Sequence, residues 1–154
     1  MDSFFRRRWR AAWTIGVMVF VALISVGMAR SARAAGQAPP STVLDGVYSD
    51  AQAKRGEMLY ASSCAMCHGD TLVGTSVAPP LVGSDFLADF GGMSVSDLFS
   101  KVMKTMPSDD PGTLMPDQAA DALAFIFSQN KWPAGTKDLP TDTAALKQIR
   151  IITK

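Results

Sequence analysis

Histidine occurs once in this chain and cysteine twice, and each scarcity excludes something. A single imidazole rules out a centre with two histidine ligands from one chain, unless a second molecule supplies the other. Two cysteines allow one disulfide, but they lie three residues apart, and so short a closed loop adds little stability. No basic patch interleaved with aromatics occurs, so nucleic acid is not an expected partner. Sustained strand-like alternation and internal repeats are also missing. The 154 residues leave room for one domain, at roughly 150 residues per domain.

Charge is distributed unevenly. Arg6, Arg7, Arg8 and Arg10 form a basic start, and the run Ala11 to Ala29 that follows carries no charge. Ala32 and Ala34 then supply the small residues that precede a signal-peptidase cut. Residues 1–34 therefore read as an export signal cut after Ala34, or as an uncleaved N-terminal anchor spanning the membrane through residues 11–29, since the 19-residue run approaches the ~20 that cross a bilayer. The flanking arginines favour a cytoplasmic N-terminus. Both readings predict a periplasmic location for the rest, soluble or tethered. Setting aside the six arginines and one aspartate of this segment leaves nine basic and thirteen acidic side chains, net −4.

The exported part begins with a linker-like stretch, residues 35–47, rich in Ala, Pro, Gly and Ser. Ser49 or Asp50 can cap a helix that runs from about Asp50 to Ala61. Residues 71–92 have many Gly and Pro and no lasting period, which predicts an extended, tightly turned loop. Ser94 and Asp97 have the spacing of a capping box, opening a helix with Leu98, Val102 and Met106 on one face. That helix is expected to end at Met106, because Pro107 disfavours helical geometry before it. Pro116 suits a first helical position, and an apolar helix follows through Asn130. The remainder, residues 131–154, is turn-rich with a weak apolar strip and reads as a C-terminal extension to a domain of residues 48–130. Such long irregular connections are unusual in a small domain unless they wrap around something.

Both cysteines and the histidine sit in "CAMCHGD", Cys64 to Asp70. Cys-x-x-Cys-His is the pattern of covalent haem attachment, in which two thiols add to the porphyrin vinyl groups and the next residue is held below the iron. One helical turn brings both sulfurs to one haem edge and His68 under the metal. Three other readings of the motif are weaker. A thioredoxin-like thiol pair needs a βαβ context that is missing. Zinc would need a fourth ligand from among the carboxylates. An incidental disulfide on a capped helix would leave the histidine without a role.

On these residues the chain resembles the small single-haem class I c-type cytochromes, over roughly Tyr48 to Asn130. Gly56, Tyr60 and Cys64 match that family's N-terminal helix, where glycine admits a close crossing by the C-terminal helix. Phe125 matches the aromatic on the latter, with Ala122 near the crossing. The resemblance implies a mainly α cytochrome c fold, three or more helices with long loops wrapped around one covalently bound haem c. It further implies that the carbonyl of Pro79, in "APPL", accepts a hydrogen bond from the Nδ1 of His68, fixing the ring and raising its basicity.

For the sixth iron position the resemblance points to Met106, the Met-Pro of "TMPSDDPG", since thioether ligation favours reduced iron. Met115 is the alternative, because "LMP" repeats the dipeptide; Met93 and Met103 read as core fillers. With both axial sites filled, the expected function is one-electron transport and not catalysis. The pattern from Tyr48 through "KWPAG" is similar to cytochrome modules that accompany quinoprotein dehydrogenases. Redox partners, a dehydrogenase donor and an oxidase or cytochrome acceptor, are therefore expected. Asp109 and Asp110 stand beside the ligand loop where a lysine ring is lacking. The alternative from another class is an open-site haem c protein that senses a diatomic ligand or reduces peroxide, although no second histidine can serve there as acid or base. A third reading is an accessory subunit of a membrane-bound oxidoreductase.

Overall fold

The first helix begins because Ser49 turns its hydroxyl back onto the chain: Ser49 Oγ accepts from the Gln52 amide at 3.0 Å, satisfying one of the amides that a helix start leaves free. In the computed structural model, which describes residues 41–152, this helix, α1, spans Asp50–Ser63. The export or anchor segment, residues 1–34, lies outside the described residues, as does the linker up to residue 40. Five more helices follow among the described residues: α2 (Ala65–His68), α3 (Gly83–Phe90), α4 (Val95–Thr105), α5 (Pro116–Gln129) and α6 (Thr143–Lys147). Two-residue strands β1 (Ser41–Thr42) and β2 (Ile149–Arg150) pair in parallel, with Ser41 opposite Ile149. No helix among the described residues is long and apolar enough to cross a membrane.

Helix α5 is the centre of the core. Pro116 occupies its first turn, and Gln118 Oε1 accepts the Met115 amide at 2.8 Å. Ala119, Ala120, Leu123, Ala124 and Phe127 are buried along it, a nearly all-round apolar surface that only a central helix can hide. Helix α1 packs against it through Gln52, Ala53, Gly56 and Tyr60, one helical face. At the crossing a Cβ on Gly56 would stand 1.9 Å from the backbone oxygen of Asp121 and 2.9 Å from Phe125 Cβ. The two backbones meet because nothing but hydrogen lies between them. One turn further on, the Tyr60 and Phe125 rings pack with centroids 5.2 Å apart.

Helix α4 starts where its capping box predicts: Asp97 N–H donates to Ser94 Oγ at 3.3 Å, and the Ser94 amide donates to Asp97 Oδ2 at 3.1 Å. It ends at Thr105, with Met106 as the cap residue.

Two stretches differ from the expectations. Within the expected loop, residues 83–90 form α3, whose Phe86 and Phe90 are buried. Its start, at Val82, has no capping side chain, so the usual signal of a helix entry is missing. The helix is held from outside, by Trp132, whose ring centroid lies 6.4 Å from that of Phe86. The other difference lies at the two ends. From Ser41 onward the linker-like stretch is packed, with Val43 fully buried, and residues 131–152 send Trp132, Leu139, Leu146, Ile149 and Ile151 into the same core.

The C-terminal segment is bound to the start of α1 by polar contacts as well. Tyr48 Oη donates to the Trp132 carbonyl at 2.7 Å. Gly135 passes so close to Gly46 that a Cβ on it would meet the Gly46 oxygen at 2.0 Å. Gln52, only 2% exposed, acts as a piece of backbone: its Nε2 donates to the Leu139 carbonyl at 3.2 Å, and its Oε1 accepts the Leu139 amide at 2.6 Å. Arg55 forms a bidentate pair with Asp121 and reaches Asp138 at 2.8 Å, while Ser49 donates its hydroxyl to Asp138. Isolated turns such as 131–138 have no period to betray this packing; they are ordered by partners about ninety residues away in sequence.

Two outcomes follow. Gly56→Ala is expected to cost about 3 kcal/mol, since neither backbone can yield without moving a whole helix; chemical unfolding of the protein measures it, and an unchanged midpoint would contradict the close crossing. The Asp138 carboxyl is held below its usual range, first by the Ser49 hydroxyl and then by Arg55. A depressed folded-state pKa contributes stability that is complete above the ordinary carboxylate value of ~4 and is lost as pH falls through the lower folded value. Asp138→Asn is therefore expected to lower the urea midpoint modestly at pH 7, because the pair is half-exposed, with the difference from wild type shrinking below about pH 4.

Candidate functional site

The last turn of α1 hands the chain directly to α2. The Cys64 amide donates to the Tyr60 carbonyl at 2.9 Å, and the amides of Cys67 and His68 return to the Cys64 carbonyl at 3.1 and 2.9 Å. Cys64, Cys67 and His68 thus occupy one turn, at positions i, i+3 and i+4, which share a side of a helix. Both cysteines are free thiols and half-buried. Burial, with the neighbouring Cys67 adding to it, pushes the Cys64 thiol up.

His68 is buried, at 8% exposure, and its ring is held. Nδ1 donates to the Pro79 carbonyl at 2.8 Å. Among the described residues Nε2 makes no hydrogen bond, so the ring offers that nitrogen as a ligand. The proline carbonyl reaches it because the chain after α2 is folded tightly back. Gly69, at φ +77°, ends the turn. The Gly74 amide then donates to the His68 carbonyl at 3.0 Å, and Thr75 Oγ1 donates to the Cys67 carbonyl at 2.6 Å. Gly74 also has φ +77°, and a Cβ there would lie 2.7 Å from Pro80 N; only glycine allows the loop to close. The Leu81 amide completes it by donating to the Leu72 carbonyl at 2.8 Å. From the other side Tyr60 Oη donates to the Gly69 carbonyl at 2.6 Å. Burial, aided by Cys64 and Asp70, pushes that phenol up to about 12, so it remains a donor.

The structure therefore brings Cys64, Cys67, His68 and Pro79 together. Met106 ends α4, half-buried, with its amide donating to the Val102 carbonyl at 3.0 Å. Met115 precedes α5 and is 62% exposed. Met103 is half-buried against the core and Met93 is partly exposed. No described contact joins any of these methionines to His68.

The donor set fits a haem. Two unpaired thiols and a buried imidazole with a free Nε2 are presented from one turn, and the neighbouring loop is apolar at Val73, Val77, Leu81 and Val82. Among the described residues no group of three or more His, Cys, Asp or Glu is placed to hold one metal ion; the thiols and the imidazole do not converge as a zinc chelate would require. Sequence reading missed the Tyr60 hydroxyl and Thr75, both of which grip the backbone on either side of His68. The spacing from Gly56 to Cys64 marked Tyr60 for its ring alone and left Thr75 unmarked, since each hydroxyl acts through a contact that exists only once the loop has closed.

Comparison with protein families agrees with this geometry. A family model described as cytochrome c oxidase, cbb3-type, subunit III matches residues 51–126, a span that contains all but the first residue of α1, the Cys-x-x-Cys-His turn, both Met-Pro dipeptides and most of α5. Among curated proteins no match is found. Among solved structures, the sulfane dehydrogenase SoxCD from Paracoccus pantotrophus aligns at 21% identity with a TM-score of 0.45, over 69% of this chain and 62% of that one. The chain thus spans about three fifths of the length of that protein. By the family match and the turn that presents its two thiols and buried imidazole, the chain belongs to the class I c-type cytochromes, electron-transfer proteins whose cofactor is haem c.

Proposed function

We propose that the chain carries one covalently bound haem c, attached through Cys64 and Cys67 and ligated by His68 and Met106, and that it serves as a periplasmic one-electron carrier. The observation that carries this reading is the His68 ring: buried, beside both thiols, and fixed through Nδ1 by Pro79. When bound, haem c would supply a one-electron couple, held by the Cys64 and Cys67 thiols, His68 and Met106. The chain's own residues do the rest. Pro79 holds the Nδ1 proton, which fixes the tautomer and makes Nε2 a stronger donor. Tyr60 and Thr75 hold the backbone on which the ring is mounted. Met106 is favoured over Met115 because it is half-buried, whereas Met115 is largely exposed and stands at the cap position of α5.

The basic start and uncharged run of residues 1–34 support export, by cleaved signal or by retained anchor. The matched family model is named for an oxidase subunit, which supports work beside a larger redox complex; a quinoprotein dehydrogenase is the donor suggested by the pattern from Tyr48 to "KWPAG". Exclusive of residues 1–34 the chain is net acidic, and Asp109 and Asp110 are exposed three and four residues after Met106. The partner surface that fits is basic, and the encounter is transient and salt-sensitive.

Three outcomes test this reading. Cys64→Ala with Cys67→Ala is expected to abolish haem that survives a denaturing gel. The oxidised protein should show the weak sulfur-to-iron band at the red end of the spectrum, lost in Met106→Ala and kept in Met115→Ala; a c-type spectrum without the band, with ready carbon monoxide binding, would point to an open-site sensor or peroxidase instead. Electron exchange with a basic redox protein should slow markedly between about 10 and 150 mM salt, as the Debye length falls from ~30 to ~8 Å; a salt-independent rate would contradict a charge-guided encounter.

A further inference from the structure

The loop that delivers Pro79 to His68 is closed by its own residues at Leu72, Gly74 and Thr75, but one side chain from a distant element also enters it. Asn130 caps the end of α5, and its amide is used three times. Nδ2 donates to the Leu81 carbonyl at 3.0 Å and to the Ile126 carbonyl at 2.9 Å, while Oδ1 accepts the Gly83 amide at 3.2 Å. A carboxamide has two donors and an acceptor in one plane, and here it spans the backbone from residue 81 to residue 83 while anchored to its own helix. Leu81 in turn is two residues from Pro79, and its amide closes the loop onto Leu72. The Pro79 carbonyl has no ladder of hydrogen bonds behind it; its position is set by how the 79–83 segment is pinned.

We infer that Asn130 is a positioning residue for the His68 ring: by fixing Leu81 and Gly83 to the end of α5 it holds the Pro79 carbonyl at hydrogen-bond distance from Nδ1, and so tunes the electron donation of Nε2. This rests on the reading of His68 as an axial ligand. A stronger Nδ1–H···O bond makes the ring the better donor and favours oxidised iron; loosening the loop weakens the bond, raises the reduction potential and lets the Nδ1 proton exchange faster with water.

The test uses the full haem-loaded chain. In the reduced wild type, His68 ring resonances displaced by the porphyrin ring current identify the ligand; their absence would overturn the axial-ligand reading itself, independently of Asn130. With the ligand identified, the exchange rate of the Nδ1 proton and the midpoint potential are compared across variants. Asn130→Ala is expected to exchange about tenfold faster and to have a raised potential. Asn130→Asp keeps the oxygen that accepts from Gly83 but loses both donors, so it tests the Leu81 bond in a side chain of the same shape, and its exchange should quicken likewise. Ser128→Ala, which loses the bond from Ser128 Oγ to Phe125 O and the one that Ser128 Oγ accepts from Gln129 Nε2, both within α5, should lower stability without moving either readout. Asn130 variants that are less stable yet match wild type in proton exchange and potential would overturn the proposal and leave Asn130 as a helix cap alone.

Discussion

Everything else in the fold is arranged around the place where α1 and α5 touch. The missing side chain at Gly56 lets the Asp121 carbonyl occupy the space of a Cβ, and that single approach sets the angle and height at which α1 leaves the core. Tyr60 then meets Phe125 one turn later, and Cys64 follows one turn after that. The site is the continuation of a helix whose course has already been fixed. A turn carrying two cysteines and a histidine could form on any helix end; what makes this one a site is that the core sets its position, with His68 buried and both thiols half-buried.

Helix α1 is used differently at its two ends. From Ser49 to Arg55 it is occupied by the C-terminal segment: Gln52 pairs with the Leu139 backbone, Arg55 and Ser49 with Asp138. From Tyr60 on, its last turn leads into the chemistry, handing the chain through Cys64 to α2 and His68. Gln52 and Cys64 are twelve residues apart, about 18 Å of helix, so residues 138–139 grip α1 far from the turn that bears the thiols. That segment packs against the start of α4 as well, where Ile151 exchanges backbone hydrogen bonds with Gly92 and Met93 at 2.7 and 3.0 Å. It therefore serves to hold the starts of two helices, whose opposite ends present Cys64 and Met106. A small domain with much irregular chain needs such cross-ties, since its loops cannot satisfy their backbone groups in regular ladders.

The parts of this arrangement that were legible in the sequence are those encoded locally. Ser49, the Ser94 and Asp97 box, and Pro116 mark helix starts because capping is a matter of a few neighbouring residues. Met106 followed by Pro107 marks an end for the same reason. The Cys-x-x-Cys-His spacing is legible because one helical turn is all it needs. What remained hidden depends on partners distant in the chain. Helix α3 lacks a cap and is short, and its best signal was the spacing of Phe86 and Phe90; Trp132, which stabilises it, lies over forty residues on. The C-terminal segment looked like an appendage because buried Leu139, Leu146 and Ile151 are scattered among turns. Asn130 was visible only as the residue where a helix stops.

The proposed function requires one iron bound through one turn of one chain and exchanging single electrons. The most direct measurement is a spectroelectrochemical titration of the purified protein, following the c-type absorbance as the potential is swept. One reversible wave of one electron per chain, at a potential unaffected by carbon monoxide, is the result the account predicts. A chain that shows no such wave, or one whose wave shifts strongly when carbon monoxide is added, would contradict it.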